Sequence, residues 1–222
     1  MKQTQTDYAV LRTWMVESQL RSRDISDPRV LDAFLALPRH EFVAPDQRDQ
    51  AYDDCPLPIG EGQTISQPYM VAAMTQALAL TGTEIVLEVG TGSGYQAAIL
   101  ARLAARVYTI EQIAALSLAA RERLERLGYA NVTCLVGDGS QGYSPGAPFD
   151  AILVAAGAPQ VPAPLTEQLV EGGRLVVPVG DFHSQELLLV EKRQGRISQR
   201  TVNYCRFVPL TGKYGWGGSP AN

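Results

Sequence analysis

The sequence predicts an α/β protein with a doubly wound, mostly parallel sheet, antiparallel strands towards its C-terminus and a helical extension at its N-terminus. Three observations support this fold class. From residue 84 onward, short apolar runs alternate with helical stretches, which is typical of a parallel sheet covered on both faces. The first apolar run leads directly into a glycine-dense turn. The last two runs flank residues 194–196, Gln-Gly-Arg, and this spacing favours a β-hairpin.

The N-terminal part carries helix signals and no sheet pattern. Helices are expected over residues 8–20 and 30–37, the second with Asp27 as its N-cap and Pro28 in its first turn. A loop punctuated by proline and glycine follows, and a third helix is expected to begin near Val71.

The strands and helices of the sheet are predicted in alternation. Strands are expected at residues 84–89, 106–110, 132–136, 150–154 and 173–179, and helices at residues 95–103, 113–127 and 162–169. Gly128 follows the second of these helices and suits its C-terminal cap. Right-handed crossovers then give a doubly wound sheet. The C-terminal hairpin is expected to pair residues 186–191 with residues 201–210, and residues 215–222 are expected to end in a mobile tail.

Length and composition are those of one domain. A chain of 222 residues with 45% apolar content can bury one large core. We therefore expect a single domain over residues 1–222, in which residues 1–80 cover the site and residues 81–222 form the sheet.

Charge and cysteine content exclude several classes of protein. The net charge is -4 without a run of Lys or Arg, so nucleic acid is not an expected partner. No apolar stretch approaches the ~20 residues of a membrane span, and residues 1–7 lack the apolar region of a signal peptide, so we expect a cytoplasmic protein. Cys55, Cys134 and Cys205 are far apart with no C-x-x-C pair, which argues against a zinc site and against disulfides. No metal is predicted.

The glycine turn predicts the cofactor. Its glycines let a ligand approach the backbone and permit the positive φ of a tight strand-to-helix turn. Dinucleotide-binding proteins use G-x-G-x-x-G, whereas Glu88, Gly90, Gly92 and Gly94 make the E-x-G-x-G-x-G form that is usual in S-adenosylmethionine-dependent methyltransferases. Glu88 itself is open to three interpretations: it holds water, positions the turn, or pairs with a neighbour.

Two further acidic residues follow strands of the predicted sheet. Glu111 ends the second strand, roughly 20 residues after the glycine turn, where a carboxylate can accept hydrogen bonds from ribose hydroxyls. Asp138 follows the third strand within Gly137-Asp138-Gly139, where a carboxylate can accept from the adenine amine. Taken alone, Glu111 could be a solvated helix cap and Asp138 a plain Asp-Gly turn. Since ligands bind at the carboxyl ends of such strands, we expect these residues around one cleft.

Characteristic segments are spread over nearly the whole chain. They are residues 51–54, 57–60, 62–70, 87–96, 137–139, 147–152, 168–169, 172–175, 178–180 and 206–210, with shorter segments at residues 30–31, 38–39 and 41–43. In these segments the chain strongly resembles protein-L-isoaspartate O-methyltransferases. The resemblance implies methyl transfer from S-adenosylmethionine to the α-carboxylate of L-isoaspartyl residues in damaged proteins or peptides, with S-adenosyl-L-homocysteine as the product. The ester collapses to a succinimide that can hydrolyse to aspartate, so the implied role is protein repair. A monomer is expected.

The resemblance also implies the site residues. Its acceptor-site serine falls on Ser66, at the end of Thr64-Ile65-Ser66. The cofactor contacts are expected at Glu88, Gly90, Thr91, Gly92, Gly94, Glu111, Asp138, Gly139 and Thr211.

The chemistry of this reaction asks little of side chains. An isoaspartyl carboxyl is already an anion at neutral pH, so no general base is needed. Two alternatives stay open: a carboxyl methyltransferase that modifies aspartate in a dedicated peptide, and a cofactor-binding protein without turnover.

Overall fold

The computed structural model describes residues 7–217 of the chain. The expectations about residues 1–6 and 218–222 lie outside this range. Within it, no helix combines the length and the apolar content that crossing a bilayer requires.

The N-terminal part is helical, as predicted. Helix α1 (Tyr8–Met15) begins after Asp7, whose side chain accepts hydrogen bonds from two backbone N–H groups of the first turn. The chain continues as a π-helical turn over Val16–Arg21, so the predicted helix over residues 8–20 is not α-helical throughout. Helix α2 (Pro28–Ala36) has Asp27 as its N-cap, where its carboxylate accepts from the first turn.

The segment before the third helix contains a small hairpin, which corrects the expectation of a plain loop. Strand β1 (Leu57–Gly60) pairs antiparallel with strand β2 (Gln63–Ile65). Strands of 4 and 3 residues are too short for their alternation to be recognised in the sequence. Helix α3 (Pro68–Leu78) begins at its proline, earlier than the predicted start near Val71, because proline suits the first helical position.

A single sheet of seven strands forms within the described residues, in the order β5-β4-β3-β6-β7-β8-β9. Its strands are β3 (Ile85–Val89), β4 (Arg106–Glu111), β5 (Val132–Val136), β6 (Phe149–Val154), β7 (Leu169–Gly180), β8 (Gln185–Arg193) and β9 (Arg196–Cys205). Neighbours from β5 to β7 pair in parallel, and β8 and β9 are antiparallel. The connecting helices are α4 (Tyr95–Ala101), α5 (Ala114–Arg126) and α6 (Ala163–Glu167). The predicted fold class is confirmed.

The largest differences from the predicted boundaries lie at β7 and β9. Strand β7 begins at Leu169, which pairs with Phe149, so α6 is shorter than the helix predicted over residues 162–169. The register then shifts before Arg174 pairs with Ala151, and this irregularity hides the start of the strand in the sequence. Strand β9 starts earlier than predicted and ends at Cys205, because residues 207–210 leave the sheet and line a cleft.

The core lies on both faces of the sheet, as the alternation along β3 requires. Val86 faces one cluster of buried side chains, and Leu87 and Val89 face the other. The cluster that contains Val86 also contains Phe34 and Tyr95, from α2 and α4. The N-terminal helices therefore share one hydrophobic core with the sheet.

Candidate active site

A cleft of about 370 Å³ lies at the carboxyl ends of β3, β4 and β6. This is the edge at which open α/β sheets bind ligands. Its walls are the glycine turn, the end of β4, Gly139, the loop after β6 and two segments from elsewhere, residues 62–66 and 207–211. The predicted site residues that line it are Ser66, Gly90, Thr91, Gly92, Glu111, Gly139 and Thr211. The sheet therefore brings most of the predicted residues together, and Glu88, Gly94 and Asp138 lie behind these walls.

At the glycine turn the backbone faces the cleft without side chains that would cover it. Gly92 has φ 51°, in the left-handed region that disfavours side chains, and a Cβ there would lie 3.2 Å from Ile59 Cδ1 of β1. Gly94 is the N-cap of α4 and so lies at the far end of the turn. Gly139 is required for close packing, since a Cβ there would lie 2.5 Å from Val89 Cγ1.

Glu111 joins the glycine turn to the start of α5. Its Oε2 accepts from Gly92 N at 2.9 Å and its Oε1 from Ile113 N at 3.0 Å. An ionised carboxylate offers about four acceptor positions, so each oxygen keeps capacity for another donor. Because Glu111 lines the cleft, that capacity is available to hydroxyl groups of a ligand.

Glu88 lies beneath the turn and is completely buried. Its Oε2 accepts from the Thr109 hydroxyl at 2.6 Å, and that hydroxyl lies 2.6 Å from the hydroxyl of Thr91. The side chains of Thr91, Thr109 and Glu88 therefore form one continuous row of hydrogen bonds. Burial raises the pKa of Glu88 to about 8, so this carboxyl is neutral at neutral pH. Glu88 thus supports Thr91 from below, which fits the interpretation that it positions the turn.

Asp138 binds protein groups on both sides of the cleft edge. Its carboxylate accepts from Ser140 N at 3.0 Å, from Gln141 Nε2 at 3.0 Å and from Lys213 N at 2.9 Å. Partial burial opposes ionisation, but these hydrogen bonds outweigh it and lower the pKa of Asp138. Asp138 therefore ties the loop after β5 to the C-terminal segment, and its neighbour Gly139 forms the cleft wall.

The C-terminal segment closes one side of the cleft. The Thr211 hydroxyl donates to the side-chain oxygen of Gln112, and both residues line the cleft. Trp216 Nε1 donates to the carbonyl of Gly157 at 3.1 Å, in the loop after β6. The Trp216 ring also packs on Phe182, with 4.1 Å between ring centroids. Sequence reasoning missed Gln112, although its place directly after Glu111 at a strand end was a usable signal.

A second cavity of about 570 Å³, here called the side cavity, opens beside the cleft. It is lined by Arg23, Pro56, Thr64, Ser66, Gln67, Tyr69, Met70, Ala155, Phe182 and residues 203–209. Ser66 lines both the cleft and the side cavity. Ser66 is therefore located at the boundary between the two spaces.

A buried arginine fixes the backbone of Ser66. Arg39 is 0% exposed, and its guanidinium donates to Ser66 O at 2.8 Å and to Ala51 O at 2.7 Å. The same group lies over the ring of Tyr95, 4.8 Å from its centroid. Burial lowers the pKa of Arg39, but an arginine guanidinium stays protonated in proteins. Sequence reasoning missed this role, because arginines are rarely buried and nothing in the pattern marks this one.

Asp54 fixes the residues that follow Ser66. Its Oδ1 accepts from Tyr69 N at 2.9 Å and its Oδ2 from Gln67 Nε2 at 3.2 Å. Together with Arg39, this carboxylate holds the segment between β2 and α3 from both sides.

Comparisons with known proteins agree on one family. The family model described as protein-L-isoaspartate(D-aspartate) O-methyltransferase matches residues 12–215. Protein-L-isoaspartate O-methyltransferases from Geobacter metallireducens and Methanoculleus marisnigri are 56% and 52% identical to the chain, over 95% and 93% of its length and 98% and 94% of theirs.

Solved structures agree with this result. One protein-L-isoaspartate O-methyltransferase superposes with a TM-score of 0.82 at 31% identity, over 92% of this chain and 67% of that one. A structure from Plasmodium falciparum in complex with S-adenosyl-L-homocysteine superposes with a TM-score of 0.78 at 25% identity, over 93% of this chain and 99% of that one.

Because burial raises the pKa of Glu88, the difference in stability between the parent and Glu88→Gln should depend on pH. In the unfolded chain this carboxyl ionises near its model value of 4.5, and in the folded protein only near 8, so its ionisation destabilises the fold progressively between these pH values. Glu88→Gln does not titrate. We expect its unfolding free energy to rise relative to the parent from pH 5 to 8, by on the order of 5 kcal/mol in total, and then to level off.

Urea denaturation at pH 5, 6, 7, 8 and 9 measures this difference. Glu84→Gln is the control, because partial burial of Glu84 is outweighed by hydrogen bonds from Thr81 and the pKa is lowered. Its difference from the parent should be constant over this range. A constant difference for Glu88→Gln as well would contradict an elevated pKa.

Arg39→Lys should destabilise the fold. A lysine cannot reach both carbonyls in the geometry of the planar guanidinium, so one buried acceptor loses its partner at a cost of about 1–3 kcal/mol. Arg121→Lys, on the exposed face of α5, is the matched control and should change stability by less than about 0.5 kcal/mol. The measurement is urea denaturation at pH 7, and equal losses in the two variants would show that the two hydrogen bonds of Arg39 contribute little.

Proposed function

The chain belongs to the protein-L-isoaspartate(D-aspartate) O-methyltransferase family, and we propose that its Ser66 holds the acceptor carboxylate where the cleft meets the side cavity. As a member of that family it is an S-adenosylmethionine-dependent repair methyltransferase that modifies L-isoaspartyl residues. The observation that carries the assignment of Ser66 is its position in the walls of both cavities.

The residues of the cleft fit the cofactor. Bare backbone at the glycine turn can approach a ligand closely, and Glu111 keeps acceptor capacity for ribose hydroxyls. We assign direct contacts to the lining residues Gly90, Thr91, Gly92, Glu111, Gly139 and Thr211. We assign positioning roles to Glu88, Gly94 and Asp138, which hold the turn, the start of α4 and the C-terminal segment.

The protein's task in this reaction is alignment. When bound, S-adenosylmethionine supplies an electrophilic methyl group on a sulfonium. The acceptor carboxylate is already ionised, so no residue has to remove a proton. The Ser66 hydroxyl donates to one carboxylate oxygen and leaves the other towards the cleft. Alignment of this kind supplies several kcal/mol, with roughly 7–11 kcal/mol as the upper range.

The surroundings of Ser66 suit this task. Arg39 and Asp54 fix the backbone on either side of it, so the hydroxyl does not depend on a mobile loop. Residues 207–209 place apolar side chains in the walls of both cavities, where they exclude water from the acceptor. In this proposal residues 1–80 act as a cover that completes the site.

The acceptor is a damaged protein or peptide that contains an isoaspartyl residue. Three finer expectations stay predictions: that the enzyme is a monomer, that it acts in the cytoplasm, and that it binds no nucleic acid.

Ser66→Ala should lower turnover and leave cofactor affinity unchanged. The lost hydrogen bond to a charged group is worth about 1.5–3 kcal/mol, so kcat/KM for an isoaspartyl peptide should fall by roughly 10- to 150-fold. Isothermal titration with S-adenosyl-L-homocysteine checks cofactor binding. Ser198→Ala, on the exposed part of β9, is the control and should behave as the parent does. Unchanged turnover in Ser66→Ala would contradict the proposal that Ser66 binds the acceptor carboxylate.

Paired peptides test the acceptor itself. Two peptides that differ only in L-isoaspartate or L-aspartate at one position are incubated with S-adenosylmethionine carrying a labelled methyl group. We expect transfer to the isoaspartyl peptide alone. Transfer to the aspartyl peptide would favour a dedicated peptide substrate, and cofactor binding without transfer to either would favour a protein without this turnover.

A further inference from the structure

The side cavity is positively charged in an acidic protein. Its lining contains two arginines, Arg23 and Arg206, and no Asp or Glu among the described residues, although the chain has a net charge of -4. A cavity wall with one sign of charge attracts ligands of the opposite sign.

The two arginines differ in what they already bind. Arg23 donates to Asp54 Oδ2 at 3.0 Å and lies over the ring of Tyr69, 3.2 Å from its centroid. The charge of Arg23 is therefore compensated. Through these contacts Arg23 also connects the N-terminal part to the start of α3. Arg206 is exposed and, among residues 7–217, forms no ion pair. Its positive charge is the uncompensated one in this cavity.

The carboxylates of neighbouring segments are engaged elsewhere. Asp181, in the loop that carries Phe182, accepts from two backbone N–H groups of its own turn. Glu186, on β8, accepts from the Thr201 hydroxyl. Neither lines the side cavity, so among the described residues no carboxylate of the lining compensates the charge of Arg206, which is free to pair with a carboxylate of a ligand.

Arg206 is within reach of residues that flank the acceptor. Ser66 and Arg206 line the same cavity of about 570 Å³. A space of that volume is about 10 Å across, which is the length of about three residues of extended chain. A peptide whose isoaspartyl residue lies at Ser66 therefore passes Arg206 with a side chain within about three positions of that residue.

We propose that Arg206 selects isoaspartyl sites that are flanked by an acidic residue. This inference rests on the proposed function, because it requires the isoaspartyl residue to be bound at Ser66. A flanking Asp or Glu pairs with the uncompensated guanidinium, and a flanking Lys or Arg is repelled by it. An exposed pair of this kind is worth about two- to fivefold in kcat/KM at low ionic strength, and less at high salt.

A peptide series tests the proposal. One isoaspartyl peptide is made with Glu, Gln or Lys at each of the three positions on either side of the isoaspartate, and kcat/KM is measured at low salt and at 0.5 M salt. For the parent enzyme we expect at least one position at which Glu exceeds Gln and Gln exceeds Lys. The differences should shrink at high salt.

Three variants distinguish the effect of Arg206 on peptide preference from an effect of the protein's overall charge. Arg206→Gln should reduce the difference between the Glu and Lys peptides, and Arg206→Glu should reverse their order. Arg200→Gln removes the same charge from β9, the strand that ends directly before Arg206. Because Arg200 lines a separate cavity, this variant should keep the order of the parent. Because Arg206→Glu predicts a reversal, a poorly folded variant cannot produce the expected result.

Each outcome has a distinct meaning. Equal rates for the Glu, Gln and Lys peptides with the parent would overturn the role of Arg206 while the enzyme still methylates isoaspartate. A difference between the Glu and Lys peptides that is as large in Arg206→Gln as in the parent, or an order that is not reversed in Arg206→Glu, would overturn it as well. No methylation of any isoaspartyl peptide by the parent would instead overturn the proposed function.

Discussion

The buried guanidinium of Arg39 joins three parts of the molecule that must stay in register. It binds the carbonyl of Ala51 in the N-terminal part, the carbonyl of Ser66 between β2 and α3, and the ring of Tyr95 at the start of α4. Helix α4 follows the glycine turn directly, so one side chain couples the segment of Ser66 to the glycine turn. A buried charge is costly unless it is well bound, and two carbonyls and an aromatic face provide that binding here.

Two carboxyls near the glycine turn have different roles because their surroundings differ. Glu111 lies at the cleft wall and accepts backbone N–H groups with both oxygens. Glu88 lies in the core below it, where burial and the neighbouring Glu111 charge favour the neutral form. One fold thus places hydrogen-bond acceptors at the cleft wall and a neutral carboxyl beneath the turn.

The sequence predicted the parallel strands, the cap at Asp27 and the location of the cleft, since these follow from periodicity, turn chemistry and topology. It could not predict where Glu88 and Asp138 point, because side-chain direction depends on partners from distant segments, such as Thr109 and Lys213. The hairpin of β1 and β2 was too short to show a period, and the interruption in β7 hid the beginning of a strand. The burial of Arg39 and its role could not be predicted from the sequence, because tertiary packing alone decides whether an arginine is buried.

The cleft takes walls from the N-terminal part and from residues 207–211, and the segment up to Trp216 is tied to it by Asp138 and Gly157. During translation, a chain still attached to the ribosome can pair β3, β4 and β6 well before residues 207–216 emerge. It presents the glycine turn at that stage, but one side of the cleft is missing. The walls of the cleft are therefore complete only once residues 207–216 have folded against the sheet.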